Sequence, residues 1–488
     1  MDNAVDGPPL QEIWRSPSEM NALETLFWRS ENHPGMRSNI LGVLVLDRSP
    51  DWDRLVARHE WASRIVPRLR HRVVEPPLRL GRPFWTDDAA FAIRNHLLRI
   101  RLPEPGTTRQ LLDLAQSISS TPFSPDRPLW SATLVEGLAD GGAAYLLKLH
   151  HSISDGIGAA QLLGVLADFT PGTPADRLLP PLQPRTRPAS GAVLLAGRLG
   201  RQAARLPSVA GHAAGRLRKA RWPQAPQRRA PSIRRLLHAA DSFARTMLLP
   251  PVPASPLLQE RSRSAHFDAL EFPLTELKVA GKAAGGSLND TFVAGLAGGF
   301  QRYHHKFGLR LAAVPLVIPI SVRHQHDLPA GNRLASTRLG ISLENLGPAE
   351  RIAEVRDRVA TMRTGPVLRG LDLLSRPITP LPGPVVRSVF AEMFRGNDLM
   401  ATNFPGVPIQ GYLAGAEVVA VTPFAPLLRG AASVALVTYL DTCHLGLTLD
   451  TGAFTAPDTF VACVRESFEE ILALADRNPA NPQVTQAS

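Results

Sequence analysis

"LKLHHSISDGIGAAQLL" occupies Leu147–Leu163, and its reading decides the fold. An apolar strand pattern over Ala144–Leu149 delivers two histidines, His150 and His151, with Asp155 and Gly156 just beyond. Successive side chains of a strand face opposite sides, so the two histidines cannot both face one site. One should look into a cleft and the other should pack or hydrogen-bond within the body. Gly156 and Gly158 permit a tight exit from the strand, and a helix is expected from about Ile157 to Phe169. Asp155 either holds the loop or caps that helix.

A neutral imidazole titrates near working pH, so it suits removal of a proton from a hydroxyl or thiol. A serine acyl-enzyme has no support, since no Gly-x-Ser-x-Gly elbow is present. Two adjacent histidines and one aspartate lack a third well-spaced ligand, so a metal site is not expected. Residue type alone favours a structural histidine pair. The chemistry left to a functional one is that of a base acting directly on a bound nucleophile.

Outward from this stretch, the chain reads as two strand-and-helix halves. In the first, a strand over 39–47 precedes a helix from Asp51 to about Val66, ended by Pro67, and another helix covers Gln110 to about Ser119. Leu134–Val135 and Ala144–Leu149 fit strands. In the second, helices are expected over Leu274–Ala284, Asn289–Phe307 and Pro457–Ala475, with Ser287 as N-cap and Asp290 completing an imperfect capping box. Val314–Ile320, Thr337–Ser342 and Glu417–Val421 read as strands, and Ser433–Tyr439 with Cys443–Asp450 as a hairpin. No Gly-rich nucleotide loop follows a strand, which disfavours dinucleotide and P-loop folds.

The boundaries follow composition: a first half over 1–176, a basic connector over 177–250 rich in Pro, Arg and Ala, and a second half over 251–488. Fourteen arginines or lysines and no acidic residue lie between Arg177 and Ala240. The net charge of the whole chain is +11, so the rest of it sums to −3. The two cysteines, Cys443 and Cys463, lack metal-ligand spacing and fit buried thiols in a reducing compartment. No signal-like apolar segment opens the chain, and no run of ~18 apolar residues occurs, so a cytoplasmic location without a spanning helix is expected.

The string His-His-x-x-x-Asp-Gly resembles the motif of the CoA-dependent acyltransferase superfamily, which includes chloramphenicol acetyltransferase and peptide-synthetase condensation domains. Further landmarks resemble one branch, the bacterial wax ester synthase/diacylglycerol acyltransferases. They are Met20-Asn-Ala-Leu-Glu-Thr-Leu-Phe27, Pro128-Leu129-Trp130, Asn289-Asp290, Pro319-Ile-Ser-Val-Arg323 with Gly331-Asn332, and the loop Thr402-Asn-Phe-Pro-Gly406. Their order holds from about residue 19 to residue 475. Departures from the family pattern are Glu24, Arg333, Phe404 and the stretch Thr438-Tyr439-Leu440-Asp441, with Tyr439 and Phe404 placed to line or narrow an acyl channel.

The resemblance implies an α/β (α+β) fold: two chloramphenicol-acetyltransferase-like halves with mixed sheets, facing each other around a substrate tunnel. It implies His151 as the base at mid-tunnel, beside His150 and Gly156, and Asp155 as a structural residue pointing away from substrate. Acyl-CoA is then a co-substrate, no resident cofactor or metal is expected, and the acceptor is diacylglycerol or a long-chain alcohol. Trp130 is either a core anchor or, with Pro128 and Leu129, part of the substrate site. Asn289 and Asp290 either organise a helix start or reach the active site. Arg323 is a candidate ion-pair partner for Asp155.

The acid-free connector, with "GAVLLAGRLGRQAARL" inside it, suits anionic lipid headgroups at a membrane or lipid droplet; the alternative is a solvated linker. A nucleic-acid partner is not expected, since Trp222 alone among aromatics interrupts the basic run. Two rival functions remain at this stage. One is an acyltransferase of the same superfamily with another donor or acceptor. The other is an inactive fold that binds lipid or coats droplets.

Overall fold

Capping residues set the element boundaries. Asp51 accepts a hydrogen bond from the Arg54 N–H at 2.7 Å and starts the helix Trp52–Ile65, which Val66 caps just before Pro67. Thr107 and Gln110 form a reciprocal capping box before Thr108–Ser120. Ser287 and Asp290 form another before Leu288–Lys306, so an aspartate completes the box that the sequence left imperfect.

The computed structural model describes residues 10–170 except 15, 16 and 80, then short stretches between 179 and 200. It also describes 252–321 except 263, then 334–363, 392, 394 and 396–476. Most of the connector 177–250 lies outside the described residues.

In chain order the strands are β1 (Asn39–Leu46), β2 (His71–Val74), β3 (Phe84–Asp87), β4 (Leu97–Arg101), β5 (Trp130–Glu136), β6 (Ala143–His150) and β7 (Ala265–Pro273). They continue as β8 (Ala313–Ser321), β9 (Leu334–Ser342), β10 (Leu399–Val407), β11 (Tyr412–Leu413), β12 (Ala416–Phe424), β13 (Ala432–Tyr439) and β14 (Thr442–Asp450). The main helices are α1 (Ala22–Ser30), α2 (Trp52–Ile65), α3 (Thr108–Ser120), α4 (Gly156–Leu166), α5 (Leu274–Ala283), α6 (Leu288–Lys306), α7 (Pro348–Arg363) and α8 (Pro457–Asp476).

Two mixed six-stranded sheets result. The first has the order β11-β12-β1-β6-β5-β4, with β4 parallel to β5 and the other pairs antiparallel. The second has the order β7-β14-β13-β10-β8-β9, with β10 parallel to both β13 and β8. The expected hairpin is β13–β14, in unbroken register from Ala432↔Leu449 to Tyr439↔Thr442.

The halves are not separate along the chain. Strands β11 and β12 come from the second half of the sequence and complete the first sheet, where β12 pairs with β1 from Leu41↔Phe424 onward. β12 packs against β13 and β14 of the other sheet. At that crossing Gly446 meets the Pro423 carbonyl so closely that an added Cβ would lie 1.8 Å from its oxygen. Only glycine lets the two backbones approach this far.

Each sheet has its own core. Helices α5, α6 and α8 cover one face of the second sheet around Phe292, Phe300, Phe460 and Phe468, all fully buried. The first core gathers Trp130, Tyr145, Leu147 and Leu149 with Leu55 and Ile65 of α2. Burying each such large apolar side chain stabilises the fold by roughly 1.5–3 kcal/mol. Both cysteines are buried thiols.

Candidate active site

The turn after β6 splits the two histidines as strand geometry requires. His151 lines a cavity of about 240 Å³ between the sheets, together with Leu147 and Leu149 on its own face of β6. His150 points the other way and is fully buried. Two backbone bonds fix the corner: the His150 N–H donates to the Leu129 carbonyl at 3.0 Å, and the His151 N–H to the Ser38 carbonyl at 2.8 Å.

The His150 ring is locked by polar partners. The Ser152 backbone N–H donates to Nδ1 at 3.1 Å, so that nitrogen carries no proton. The proton therefore sits on Nε2 in the neutral ring, facing Glu31 Oε2 at 3.3 Å and Ser38 Oγ at 3.3 Å. Trp28 and Phe123 pack edge-on against it. His150 is thus held by polar and aromatic partners and does not line the chamber.

The His151 ring stacks on Phe27, with centroids 4.6 Å apart and planes 8° from parallel. Burial pushes its pKa down from 6.5 to about 4, against the opposing pull of the Asp155 charge. A ring this far down is neutral at working pH, and it stands on the wall of an apolar chamber. Asp155 is fully buried and caps α4, its Oδ1 accepting from the Gly158 N–H at 3.0 Å. Of the two roles left open by the sequence, helix capping is the one the geometry displays. Arg323 lies outside the described residues.

The second sheet contributes Thr402, Asn403 and Phe404 of β10 to the cavity lining. The sequence suggests a loop there; the chain instead runs as β10 beside β13, and the register slips only between Phe404 and Val407, around Pro405 and Gly406. The Phe404 ring packs on Gly156, where an added Cβ would meet it at 3.3 Å. Tyr439 also lines the chamber, and its hydroxyl donates to Val418 O at 2.9 Å while accepting from the Gly411 N–H.

Pro128, Leu129 and Trp130 do not line this chamber. Trp130 is buried beside Leu149, its register partner on the same face of the sheet, and is stacked between His59 and His96 with Nε1 donating to Leu69 O at 2.8 Å. Their connection to the site is the Leu129 carbonyl that holds His150. Asn289 and Asp290 also stand off the chamber: Asp290 caps α6 with Ser287, and Asn289 lies at the same helix start. Of the alternatives left open for these residues, Trp130 displays the core anchor and Asp290 the helix start.

Sequence reading missed a buried ion pair that grips the turn. Arg68 Nη1 donates to Glu24 Oε1 at 3.0 Å, to Ser152 O at 2.9 Å and to Ile153 O at 3.2 Å. Its guanidinium lies over the Trp85 ring. The departure at Glu24 was visible; its partner, 44 residues away, carried no local signal. Among the described residues, the group spaced to hold a cation is His266, Asp268 and Asp458, which does not line the chamber.

Comparison with known proteins agrees with this geometry. The model of the wax ester synthase/diacylglycerol acyltransferase catalytic domain matches residues 20–292, and that of the WS/DGAT C-terminal domain matches residues 330–472. The chain belongs to the wax ester synthase/diacylglycerol acyltransferase family. It is an acyltransferase. A Mycobacterium tuberculosis (strain H37Rv) protein named provisionally as a diacylglycerol O-acyltransferase is 33% identical, over 97% of this chain and 95% of its own.

The wax ester synthase/diacylglycerol acyltransferase of Marinobacter aquaeolei VT8 has the same fold. Its TM-score is 0.62 at 18% identity, covering 94% of this chain and all of that one. The first condensation domain of the calcium-dependent antibiotic synthetase shares it as well, at TM-score 0.60 and 15% identity over 94% and 97%. The α/β architecture of two facing mixed-sheet halves is thus the fold of this acyltransferase family member.

Proposed function

We propose that the protein moves a fatty acyl group from acyl-CoA to the hydroxyl of diacylglycerol or a long-chain alcohol, with His151 as general base. The observation that carries this is a neutral, buried imidazole on the wall of an apolar chamber between two sheets. A hydrocarbon chain fits such a chamber, and the imidazole is the group able to take a hydroxyl proton there.

His151 accepts the proton of the acceptor hydroxyl as its oxygen attacks the thioester carbonyl. The tetrahedral oxyanion is held by donors on the facing wall, for which Thr402 and Asn403 are the candidates. Collapse breaks the carbon–sulfur bond, and the imidazolium returns its proton to the CoA thiolate. Enzyme and imidazole are restored, with no covalent intermediate. His150, Asp155 and Gly156 serve this base by holding the strand end and the helix start.

The acceptors are lipids, so the reading includes peripheral contact with a membrane or droplet from the cytoplasmic side. Among the described residues no helix is long and apolar enough to cross a membrane. The acid-free run between Arg177 and Ala240 supplies cationic charge for anionic headgroups.

The test is CoA thiol release from palmitoyl-CoA by purified protein, with hexadecanol or dioleoylglycerol supplied in turn. Acceptor-dependent release that disappears in His151→Ala supports the reading. Folded protein that binds palmitoyl-CoA yet releases no CoA with either lipid overturns it in favour of a binding-only role.

A further inference from the structure

A group of exposed apolar side chains surrounds one end of the chamber. Phe169, Ile409, Val419 and Leu440 are 48%, 51%, 54% and 38% exposed. They come from four separate stretches of chain, yet each sits at the chamber wall. Phe169 itself lines it, Val419 and Leu440 directly follow the lining residues Val418 and Tyr439, and Ile409 lies two positions after the lining residue Val407.

Hydrogen bonds tie these stretches into one rim. Gln410 Nε2 donates to Val418 O at 2.7 Å and to the Tyr439 hydroxyl at 3.0 Å, so the chain neighbours of Ile409, Val419 and Leu440 form one network. The Leu440 N–H donates to Val407 O at 3.1 Å. Phe169 joins through Asp168, whose backbone exchanges two bonds of 2.7 Å with Tyr412, next to the lining residue Gly411. Helix α4 completes the opening with Ala160, Gly164 and Ala167, which line the chamber and are only half-buried, and the space beside Gly164 is open. The aspartates next to Phe169 and Leu440 are engaged: Asp168 is buried against Arg58 at 3.2 Å, and Asp441 accepts from the Thr275 hydroxyl at 2.7 Å.

Resting on the reaction proposed above, we infer that this rim seats on a lipid surface and is the entrance through which the acceptor passes from that surface into the chamber. Clustered apolar side chains held in water mark a docking site. A lipid surface is the occupant that matches what adjoins the rim on both sides. Inward lies an apolar chamber that takes a hydrocarbon chain. Outward, Arg177 follows Phe169 by eight positions and opens the acid-free run, whose fourteen basic residues complement anionic headgroups. Seated this way, the acceptor reaches the chamber without crossing water, while the four apolar side chains are buried among acyl chains.

The experiment measures sedimentation of the full chain with phosphatidylcholine vesicles carrying dioleoylglycerol, with and without phosphatidylserine, for wild type and Ile409→Glu/Val419→Glu. Neither of these two residues lines the chamber. At high salt, where the basic run is screened, the double variant should bind at least tenfold more weakly, since two apolar side chains no longer enter the lipid. Its kcat/KM for vesicle-borne dioleoylglycerol should fall by a similar factor, while that for octanol dissolved as monomers stays at the wild-type value. Circular dichroism and Tm establish folding, and Ile409→Ser/Val419→Ser carries the test if the glutamate pair does not fold. Unchanged vesicle binding overturns the inference, as does an equal loss on both acceptors. Wild type that binds only anionic vesicles, and only at low salt, assigns docking to the basic run alone and also overturns it.

Vesicle binding needs no turnover, so the two readings fail separately. If wild type esterifies neither acceptor yet the glutamate pair releases it from vesicles, the reaction fails and the docking surface stands. If wild type is active and the pair binds vesicles as it does, the docking surface fails and the reaction stands. Where octanol is not a substrate, vesicle binding decides alone.

Discussion

His150 and His151 are the same side chain one residue apart, placed on opposite faces of one strand end. His150 is ringed by Glu31, Ser38 and Ser152 with its tautomer fixed. His151 has an aromatic ring against it and a chamber before it. The difference teaches that environment sets what an imidazole can do: polar partners engage one ring, and desolvation keeps the other neutral on the chamber wall, as the proposed general base requires. The comparison breaks most directly by truncating each ring in turn. His151→Ala should lower kcat by the ~10²–10⁴-fold typical of a positioned acid–base group, with protein still folded. A variant that keeps wild-type turnover would remove His151 from the mechanism.

The next largest effect is expected from the grip on the turn between those faces. Arg68 and Glu24 are 2% and 1% exposed, and Arg68 also holds the Ser152 and Ile153 carbonyls. Arg68→Ala leaves the Glu24 carboxylate buried without its cation, which should destabilise the protein by roughly 3–5 kcal/mol, read as a shift in urea midpoint. Arg68→Met paired with Glu24→Gln should recover part of that loss, since the uncompensated charge is gone. If the double variant is no better than the single one, carbonyl gripping matters more than charge pairing.

Truncating the other ring is expected to do less. His150→Ala strips Ser38, Ser152 and Glu31 of a buried partner, costing about 1–3 kcal/mol in stability. Its effect on kcat/KM should stay well below that of His151→Ala, because its ring faces away from the chamber. Equal losses in the two variants would mean that the histidines act as one unit.

Much of this comparison was legible before any fold was known. Period-two alternation separates the histidines whatever the rest of the chain does, and Gly156 marks the exit into α4. The β13–β14 hairpin announced itself by two apolar runs around a turn. What stayed hidden depended on distance along the chain. Strand β10 contains Pro405 and Gly406, so Thr402–Gly406 read as a loop until its parallel neighbours β13 and β8 were in place. Strand β7 buries Phe267, Leu270 and Phe272 at uneven spacing, which no simple alternation predicts. The membership of β12 in the first sheet has no local signature, because its pairing with β1 joins opposite ends of the sequence.

The smallest expected effect is graded and sharpens the claim that desolvation makes the base. The folded pKa of His151 is lowered from 6.5 to about 4, so its neutral, proton-accepting form persists far into the acid range. The acid limb of kcat/KM should therefore descend as pH falls through about 4, and the rate at pH 6 should match that at pH 7.5. A limb centred near 6.5 would describe a solvated imidazole and contradict the burial argument. Stability follows the same proton. The unfolded chain binds it near 6.5 and the folded chain only near 4, so the contribution is present above 6.5 and is lost progressively as pH falls between those values. His59, also pushed to about 4 by burial, adds a second group with the same sign. Urea midpoints of wild type should thus drop between pH 7 and pH 5. His151→Ala, with one such group removed, should drop less by up to ~1.4 kcal/mol per pH unit, the slope for one proton.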